Sequence, residues 1–412
     1  MEGFFNLASP AHVLDLLQDF PPLGEESVPL INALGRALAE ELKATEPVPP
    51  FPRSTVDGFA VRAADTFGCS ESQPALLSVV GEVAMGSSSR DMHLRPGQAV
   101  RIWTGGELPP KADAAVMVEH TELLDPGTVT VLRPAAPGTN MIRAGEDVAP
   151  GAVVLEKGHR LRPQDLGLCA GLGLASVAVP RRPRVAILST GDELIPANQP
   201  MRPGKIRDMN STTLGTLVEE AGGVAVPFGI CGDDHDALLD ACSRALEDAD
   251  MLLVSGGSSV GRSDFTVRVF SAIPGCEVLL HGIAIRPGKP TILARQGHKA
   301  LWGLPGHAAS AMVVFYRFVR PLLRRFLGLG VSHGLASVRA LTAQPVPSVI
   351  GREDYVRVRL STPEGGAPQL ATPIYGKSGM LRSLVRADGL LAIGRDVEGL
   401  DQGVESEVLL FP

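Results

Sequence analysis

Residues Met251 to Asp264 read MLLVSGGSSVGRSD. Four apolar residues run into two glycines, then Ser258-Ser259, another glycine and, three residues on, an acid. This is the pattern of a buried strand that stops at a glycine-rich loop. Glycines let backbone N–H groups point together and come close to an anion. A helix starting after the loop adds its positive end. Asp264 then stands where a carboxylate can hold Mg²⁺ beside a phosphate. A plain strand-to-helix turn in an α/β sheet accounts for the same residues, so the neighbouring segments must decide between the two.

Those segments alternate. Arg184 to Thr190 (RVAILST) is an apolar run suited to a strand buried on both faces. A helix pattern follows, with Asn210 or Ser211 as cap, Leu214, Leu217, Val218 and Ala221 on one face, and Gly222-Gly223 as the stop. Val224 to Phe228 is a strand, His235 to Asp248 a helix with Leu238, Leu239, Cys242, Ala245 and Leu246 inward, and Met251 to Val254 the next strand. Strands alternating with helices predict a central doubly wound α/β domain with a mostly parallel sheet, over about 181–330. On either side the style changes. From about 55 to 180 short runs such as LLSVVGEV and TVTVLR are punctuated by Gly and Pro, and from Ala336 onward DYVRVRL, GLLAIG and SEVLLF alternate again. The fold class expected is therefore multidomain α/β plus β. The domains expected are an N-terminal helix (1–25, with Ser9 as cap and Pro10 in the first turn) packing on the central domain, β-rich parts at 26–52 with 140–180 and at 53–139, the central domain, and a small β-rich C-terminal domain at 331–412.

Composition removes several function classes. With 412 residues, 44% hydrophobic but only 4% aromatic, the cores must be built from Leu, Val and Ala. A net charge of -7 argues against a nucleic-acid surface. Five cysteines without a CxxC pair indicate neither a zinc site nor a disulfide framework. The N-terminus lacks the basic flank of a signal peptide, and the longest apolar stretch, Ala308 to about Leu329, carries Arg317, Arg320 and Arg324. A cytoplasmic chain without a membrane span is expected.

In an open α/β sheet, ligands bind beyond the carboxyl ends of the strands. Ser189-Thr190-Gly191-Asp192-Glu193, Ser255 to Asp264 and Gly303-Leu304-Pro305-Gly306-His307 all fall at that edge. Gly232-Asp233-Asp234 follows another strand, though Asp233 and Asp234 are more often caps than ligands. Arg286-Pro287-Gly288-Lys289-Pro290 adds two cations. Acids and cations gathered at one edge suit a polyphosphate or nucleotide bound with Mg²⁺. Two N-terminal segments, PRSTVDGFA with Asp57 and RIWTGGELPP with Thr104, are of similar character, although each alone reads equally well as a turn or loop.

Taken in order, PRSTVDGFAVRAADT, RIWTGGELPPKADAAVMVE, IRAGEDVAPGAVVLEKGHRLRPQDLGLCAGLG, VAILSTGDEL, GKIRDMNS, LVSGGSSVGRSDFT, IRPGKPT and GLPGHAAS resemble the molybdopterin molybdenumtransferase family, also called the MoeA or gephyrin E-domain family. The resemblance runs from about residue 5 to 412. It implies an elongated subunit and a Mg²⁺-dependent transferase that inserts molybdenum from molybdate into adenylylated molybdopterin, releasing AMP and the molybdenum cofactor. It implies a homodimer whose cleft joins the central domain of one subunit to the N-terminal β domain of the other. Transient contacts with a molybdopterin adenylyltransferase and with molybdoenzyme maturation proteins are implied too. Carried over residue by residue, Asp57, Thr104, Glu193, Asp233 and Asp264 form the catalytic set, with Glu193 and Asp264 on the metal. Substrate binding falls to Ser189, Thr190, Gly191, Asp192, Gly256, Gly257, Ser258, Ser259, Gly261, Arg286, Lys289, Pro305, Gly306, His307 and Ser378.

Three segments depart from the family pattern. His307 and Ala308 stand where Asn and Pro are common, Arg286 where Lys is frequent, and Arg207-Asp208-Met209-Asn210 where Tyr-Asp-Ser/Thr-Asn is usual. An Arg offers a planar fork in place of a point charge. The alternatives are a molybdopterin adenylyltransferase-like enzyme, a tungsten-specific insertase and a non-catalytic scaffold for cofactor synthesis. A carboxylate cluster that costs self-repulsion has no use in a pure scaffold.

Overall fold

The computed structural model describes residues 7–256, 263–362 and 368–412; the backbone of Ser263 and Asp264 is included, their side chains are not. Two compact units emerge, Ser27–Val177 and a second made of Met1–Glu26 with Ala178–Pro412. The two β-rich stretches between 26 and 180 thus fall in one unit, while the C-terminal β domain clusters with the central domain.

The central sheet has six strands in the order Val224–Cys231, Arg184–Thr190, Met251–Gly256, Lys299–Leu304, Ile292–Gln296, Cys276–His281. The first four run parallel, Ile292–Gln296 runs antiparallel to both of its neighbours, and Cys276–His281 returns to the common direction. Residues Val185 to Thr190 are all buried, as a strand covered on both faces requires. Helix Asn210–Glu220 and the long helix from Ala308 to Phe326 cover one face, where Leu214, Leu217 and Val218 pack with Val185, Ile187, Trp302 and Phe315. The N-terminal helix Pro10–Gln18 joins that core through Val13 and Leu17, and Ser9 caps it by accepting from the His12 N–H at 3.1 Å. Helices His235–Asp248 and Ser263–Ala272 cover the other face, placing Leu238, Cys242 and Leu246 against Ala186, Leu188 and Leu252. The long helix carries a π-helical stretch at Phe315–Val319. Its arginines are used internally: Arg320 pairs with Glu220 and donates to the His333 carbonyl at 2.7 Å, and Arg317 donates to the Tyr355 hydroxyl at 2.9 Å. No helix among the described residues is long and apolar enough to cross a membrane.

In the C-terminal part, strands Glu353–Ser361, Leu370–Pro373, Ser337–Thr342, Glu405–Leu410 and Gly389–Ile393 pair in sequence, and the last pairs back with the first. The ring is joined to the central domain because Ile285 and Arg286 add in parallel to Glu353 and Asp354. The other unit holds a six-stranded sheet ordered Ala114–Met117, Gly58–Val61, Gln98–Ile102, Ala75–Glu82, Thr128–Val131, Thr121–Asp125. Its core is made of Phe59, Val61, Ala99, Val116, Val129 and neighbours.

Candidate active site

Strand order reverses between Arg184–Thr190 and Met251–Gly256, so a crevice opens at their carboxyl ends. There lies a cavity of about 640 Å³. Thr190, Glu193, Asp208, Asn210, Ser255, Gly256, Pro305, Gly306, His307 and Ser378 are among the residues that line it.

Close backbone approach shapes the floor. Gly256 sits opposite Thr190 in the ladder with φ +118°, and a Cβ there would lie 2.1 Å from the Thr190 carbonyl oxygen. Only glycine accepts both conditions. At Gly191 a Cβ would stand 2.7 Å from the Glu193 carboxylate, so the bare backbone leaves room for that carboxylate to fold back over the turn. The Glu193 carbonyl accepts from the Ile206 N–H at 2.8 Å, which ties the turn to the excursion ending at Asn210. Asp192 does not line the cavity. Its carboxylate accepts from the Asp233 N–H at 3.1 Å, and its carbonyl accepts from Lys205. Asp233 receives the Thr190 hydroxyl at 3.3 Å. Asp234 caps the following helix by accepting from the Ala237 N–H at 2.9 Å.

The walls come from farther away. Asn210 donates to the Gly306 carbonyl at 2.9 Å, pinning the Pro305-Gly306-His307 turn. His307 Nδ1 and the Ser378 hydroxyl are 2.8 Å apart, and the Ala309 N–H donates to the Ser378 carbonyl at 3.2 Å. These two bonds hold a C-terminal-domain segment against the central domain. Pro287 and Gly288 line the same cavity, whereas Arg286 lines a neighbouring one of about 420 Å³ with Arg357, Lys377 and Ser378. There Arg286 stands 3.5 Å from the buried Asp354, which also receives Arg352 at 2.9 Å. Burial pulls the Arg357 pKa below its ordinary value; its guanidinium donates to the Gly376 carbonyl at 2.6 Å. Lys289 borders a third cavity, also of about 420 Å³.

Sequence reasoning placed Ser189 among the binding residues, read Asn210 or Ser211 only as a helix cap and Asp208 only as part of a departure from the family pattern, and gave Arg357 and Lys377 no role. Asp208 does carry a local signal, since it precedes a helix and its carboxylate accepts from the Ser211 N–H at 3.1 Å. Arg357 carries none, because its place depends on the long-range pairing at Ile285–Arg286. Gly257, Ser258, Ser259 and Gly261 lie outside the described residues, as does the Asp264 side chain.

Asp57 and Thr104 belong to the other unit. The Asp57 carboxylate accepts from both the backbone N–H and the hydroxyl of Thr104, each at 2.8 Å. Those two bonds hold its pKa below the ordinary carboxylate value. Among the described residues no three His, Cys, Asp or Glu side chains converge as a ready-made metal cage. Oxygen donors with one or two carboxylates are nonetheless what Mg²⁺ takes when substrate phosphate and water complete its shell, and Glu193 on the cavity fits that role.

A parallel-stranded sheet with a polar crevice at its switch point, walled by a closed β ring, defines a class of α/β small-molecule-binding proteins. Three family models divide the chain: the MoeA N-terminal region (domain I and II) matches 8–173, a probable molybdopterin binding domain 186–325, and the MoeA C-terminal region (domain IV) 339–411. The chain belongs to the MoeA family. It is 36% identical over 398 residues to a molybdopterin molybdenumtransferase of Bacillus subtilis (strain 168), covering 95% of this chain and 91% of that one. It is also 36% identical over 393 residues to molybdopterin molybdenumtransferase 2 of Mycobacterium tuberculosis (strain ATCC 25618 / H37Rv), covering 93% and 94%. The solved structure of a molybdopterin biosynthesis MoeA protein from Pyrococcus horikosii superposes with a TM-score of 0.85 at 37% identity, covering 99% of this chain and all (100%) of that one.

Proposed function

We propose that this protein is a molybdopterin molybdenumtransferase that inserts molybdenum from molybdate into adenylylated molybdopterin and releases AMP. One observation carries the reading. In a chain that matches the MoeA family along nearly its whole length, the switch-point cavity brings a carboxylate (Glu193), an imidazole (His307) and the Ser378 hydroxyl together on about 640 Å³ of space. That volume suits a bicyclic-to-tricyclic ligand with a phosphate tail.

The pterin and its anhydride occupy the cavity, and molybdate is the second substrate. Glu193 and Asp264 are the residues assigned to Mg²⁺, which, when bound, offsets the charge that develops as the phosphoanhydride opens. Glu193 is set for this by the glycine beneath it. The His307–Ser378 contact closes the wall against which the anhydride rests, and Arg286 and Lys289, the cations assigned to the phosphate or oxyanion, border the two neighbouring cavities. No covalent nucleophile is required: water attacks one phosphorus of the anhydride, the bond to the bridging oxygen breaks and AMP leaves, while the two dithiol sulfurs of the pterin replace one molybdate oxygen, which departs as water with the two thiol protons. A homodimer in which Asp57 and Thr104 of one protomer complete the site of the other, and transient contacts with the enzymes that supply the pterin and receive the cofactor, are part of the same reading.

The test is AMP release from adenylylated molybdopterin with Mg²⁺ and either molybdate or tungstate, followed by reconstitution of an apo-molybdoenzyme. Release with reconstitution is the expected result, and the preferred oxyanion names the metal. Tight pterin binding without release would overturn the transferase in favour of a scaffold. Mixing Asp57→Ala with Glu193→Ala protein should restore part of the activity if the site is shared between protomers.

A further inference from the structure

Four polar side chains form a line that starts and ends at the cavity and passes behind its floor. Ser255 and Ser189 face each other on adjacent strands with hydroxyl oxygens 3.2 Å apart. Ser189 is 3.0 Å from the Ser211 hydroxyl, and Ser211 bonds to the Asp208 carboxylate. Ser189, Ser255 and Asp208 are all buried, at 0%, 1% and 8% exposure. Ser255 and Asp208 border the cavity; Ser189 and Ser211 lie between them.

Each hydroxyl has one proton to give, and an ionised carboxylate has none. Ser211 therefore donates to Asp208. Its oxygen is left to accept from Ser189, and Ser189 in turn must accept from Ser255. The carboxylate at one end sets the direction of every bond in the line, and the proton of Ser255 points away from the cavity.

We propose that Asp208 is a positioning residue that makes Ser255 a hydrogen-bond acceptor on the cavity floor. The substrate group that meets Ser255 is then an N–H or O–H donor, such as the amino and ring N–H edge of a pterin. A phosphate or metal oxyanion, being an acceptor itself, is turned away from that spot and toward the other walls. The inference rests on the reading above and adds to it which end of the substrate faces the sheet.

Asp208→Asn tests it. The amide oxygen keeps the Ser211 N–H bond, while the amide N–H₂ now donates to the Ser211 hydroxyl. All three hydroxyls then turn over, and Ser255 points its proton into the cavity. Calorimetric titration of the full-length protein, anaerobically, with molybdopterin and separately with inorganic pyrophosphate reads the result. Molybdopterin should bind about 3- to 10-fold more weakly and pyrophosphate more tightly by a similar factor. Ser189→Ala cuts the line and frees the Ser255 proton, so by itself it should tighten pyrophosphate; because Asp208 also borders the cavity, the loss of its charge tightens pyrophosphate in either background, and what adding Asp208→Asn to Ser189→Ala should no longer do is weaken molybdopterin. A merely structural Asp208 would move both ligands in the same direction. That result, or no change, or an inversion that persists in the Ser189→Ala background, overturns the proposal. If Asp208→Asn does not fold, unchanged pyrophosphate affinity in Ser189→Ala overturns it instead. Wild-type protein that binds no molybdopterin would sink the functional reading, while pyrophosphate binding by Ser189→Ala still decides the direction of the hydroxyl line.

Discussion

Gly256 is the position where a single methyl group should do most damage to the site. Its φ of +118° is one that L side chains rarely adopt, and its Cβ would lie 2.1 Å from the Thr190 carbonyl oxygen. Ordinary contact needs roughly 1 Å more, so in Gly256→Ala the two strand ends must part where they form the cavity floor. Backbone strain costs about 1–3 kcal/mol, and a weakened ladder bond adds about 1 kcal/mol. A loss of about 2–4 kcal/mol lowers Tm by about 5–15 °C for a unit of this size. Two other glycines serve as controls. Gly275 has φ +71° with nothing within 4 Å of a Cβ, so Gly275→Ala shows the strain alone. Gly306 has no positive φ, and its nearest atom is 3.5 Å away, so Gly306→Ala should be close to neutral for stability. Differential scanning fluorimetry with the AMP-release assay measures all three. Gly256→Ala should lose the most stability and should lose activity even well below its Tm. A Tm within about 1 °C of wild type, or a Gly275→Ala loss equal to that of Gly256→Ala, would refute the reasoning.

Other outcomes follow from particular contacts. Asp250 receives Arg181 through two nitrogens, at 2.7 and 2.5 Å, and the Arg184 N–H at 2.9 Å, so with Arg181 partly open to solvent Asp250→Ala should cost about 1–3 kcal/mol by urea denaturation. Asp165 accepts from Arg162 and bonds to His159, and these partners hold its carboxyl well below the usual range. A depressed folded-state pKa means the stabilisation is complete above the unfolded value of about 3.9 and fades as pH falls toward the folded one. Asp165→Asn should therefore be about 1–3 kcal/mol less stable at neutral pH, and its deficit should narrow in denaturation curves taken below about pH 4. Burial pushes the Cys242 thiol up to about 12 and the Cys276 thiol up to about 11, so in native protein at neutral pH both should resist iodoacetamide, as read by mass spectrometry. Rapid labelling of Cys242 in the folded state would mean that helix His235–Asp248 opens locally.

The central domain was legible because its signals are local. RVAILST and MLLV are apolar throughout, their helices carry one apolar stripe, and the turns at Thr190 to Glu193 and Pro305 to His307 must come at the strand ends. What stayed hidden depends on contacts between residues far apart in sequence. Arg286 reads as a free cation in IRPGKP, yet its guanidinium faces Asp354, and only the ladder between Ile285–Arg286 and Glu353–Asp354 creates that pairing. The hydroxyl line escaped for a different reason. Ser189 reads as a binding residue and Ser255 as the start of a loop, and only the parallel register that sets them side by side makes them one line.

The closed ring at the C-terminal side bears on how the protein is made. Ser378 lies on the connection between Leu370–Pro373 and Gly389–Ile393, and the ring holding both strands is completed only by Glu405–Leu410, which pairs with Ser337–Thr342 and Gly389–Ile393. A nascent chain can therefore form the parallel sheet and the floor of its cavity while still attached to the ribosome. The wall that carries Ser378 has to wait until that last strand has been synthesised. The wall beside Ser378 is thus completed only after Glu405–Leu410 has paired, later than the sheet that forms the cavity floor.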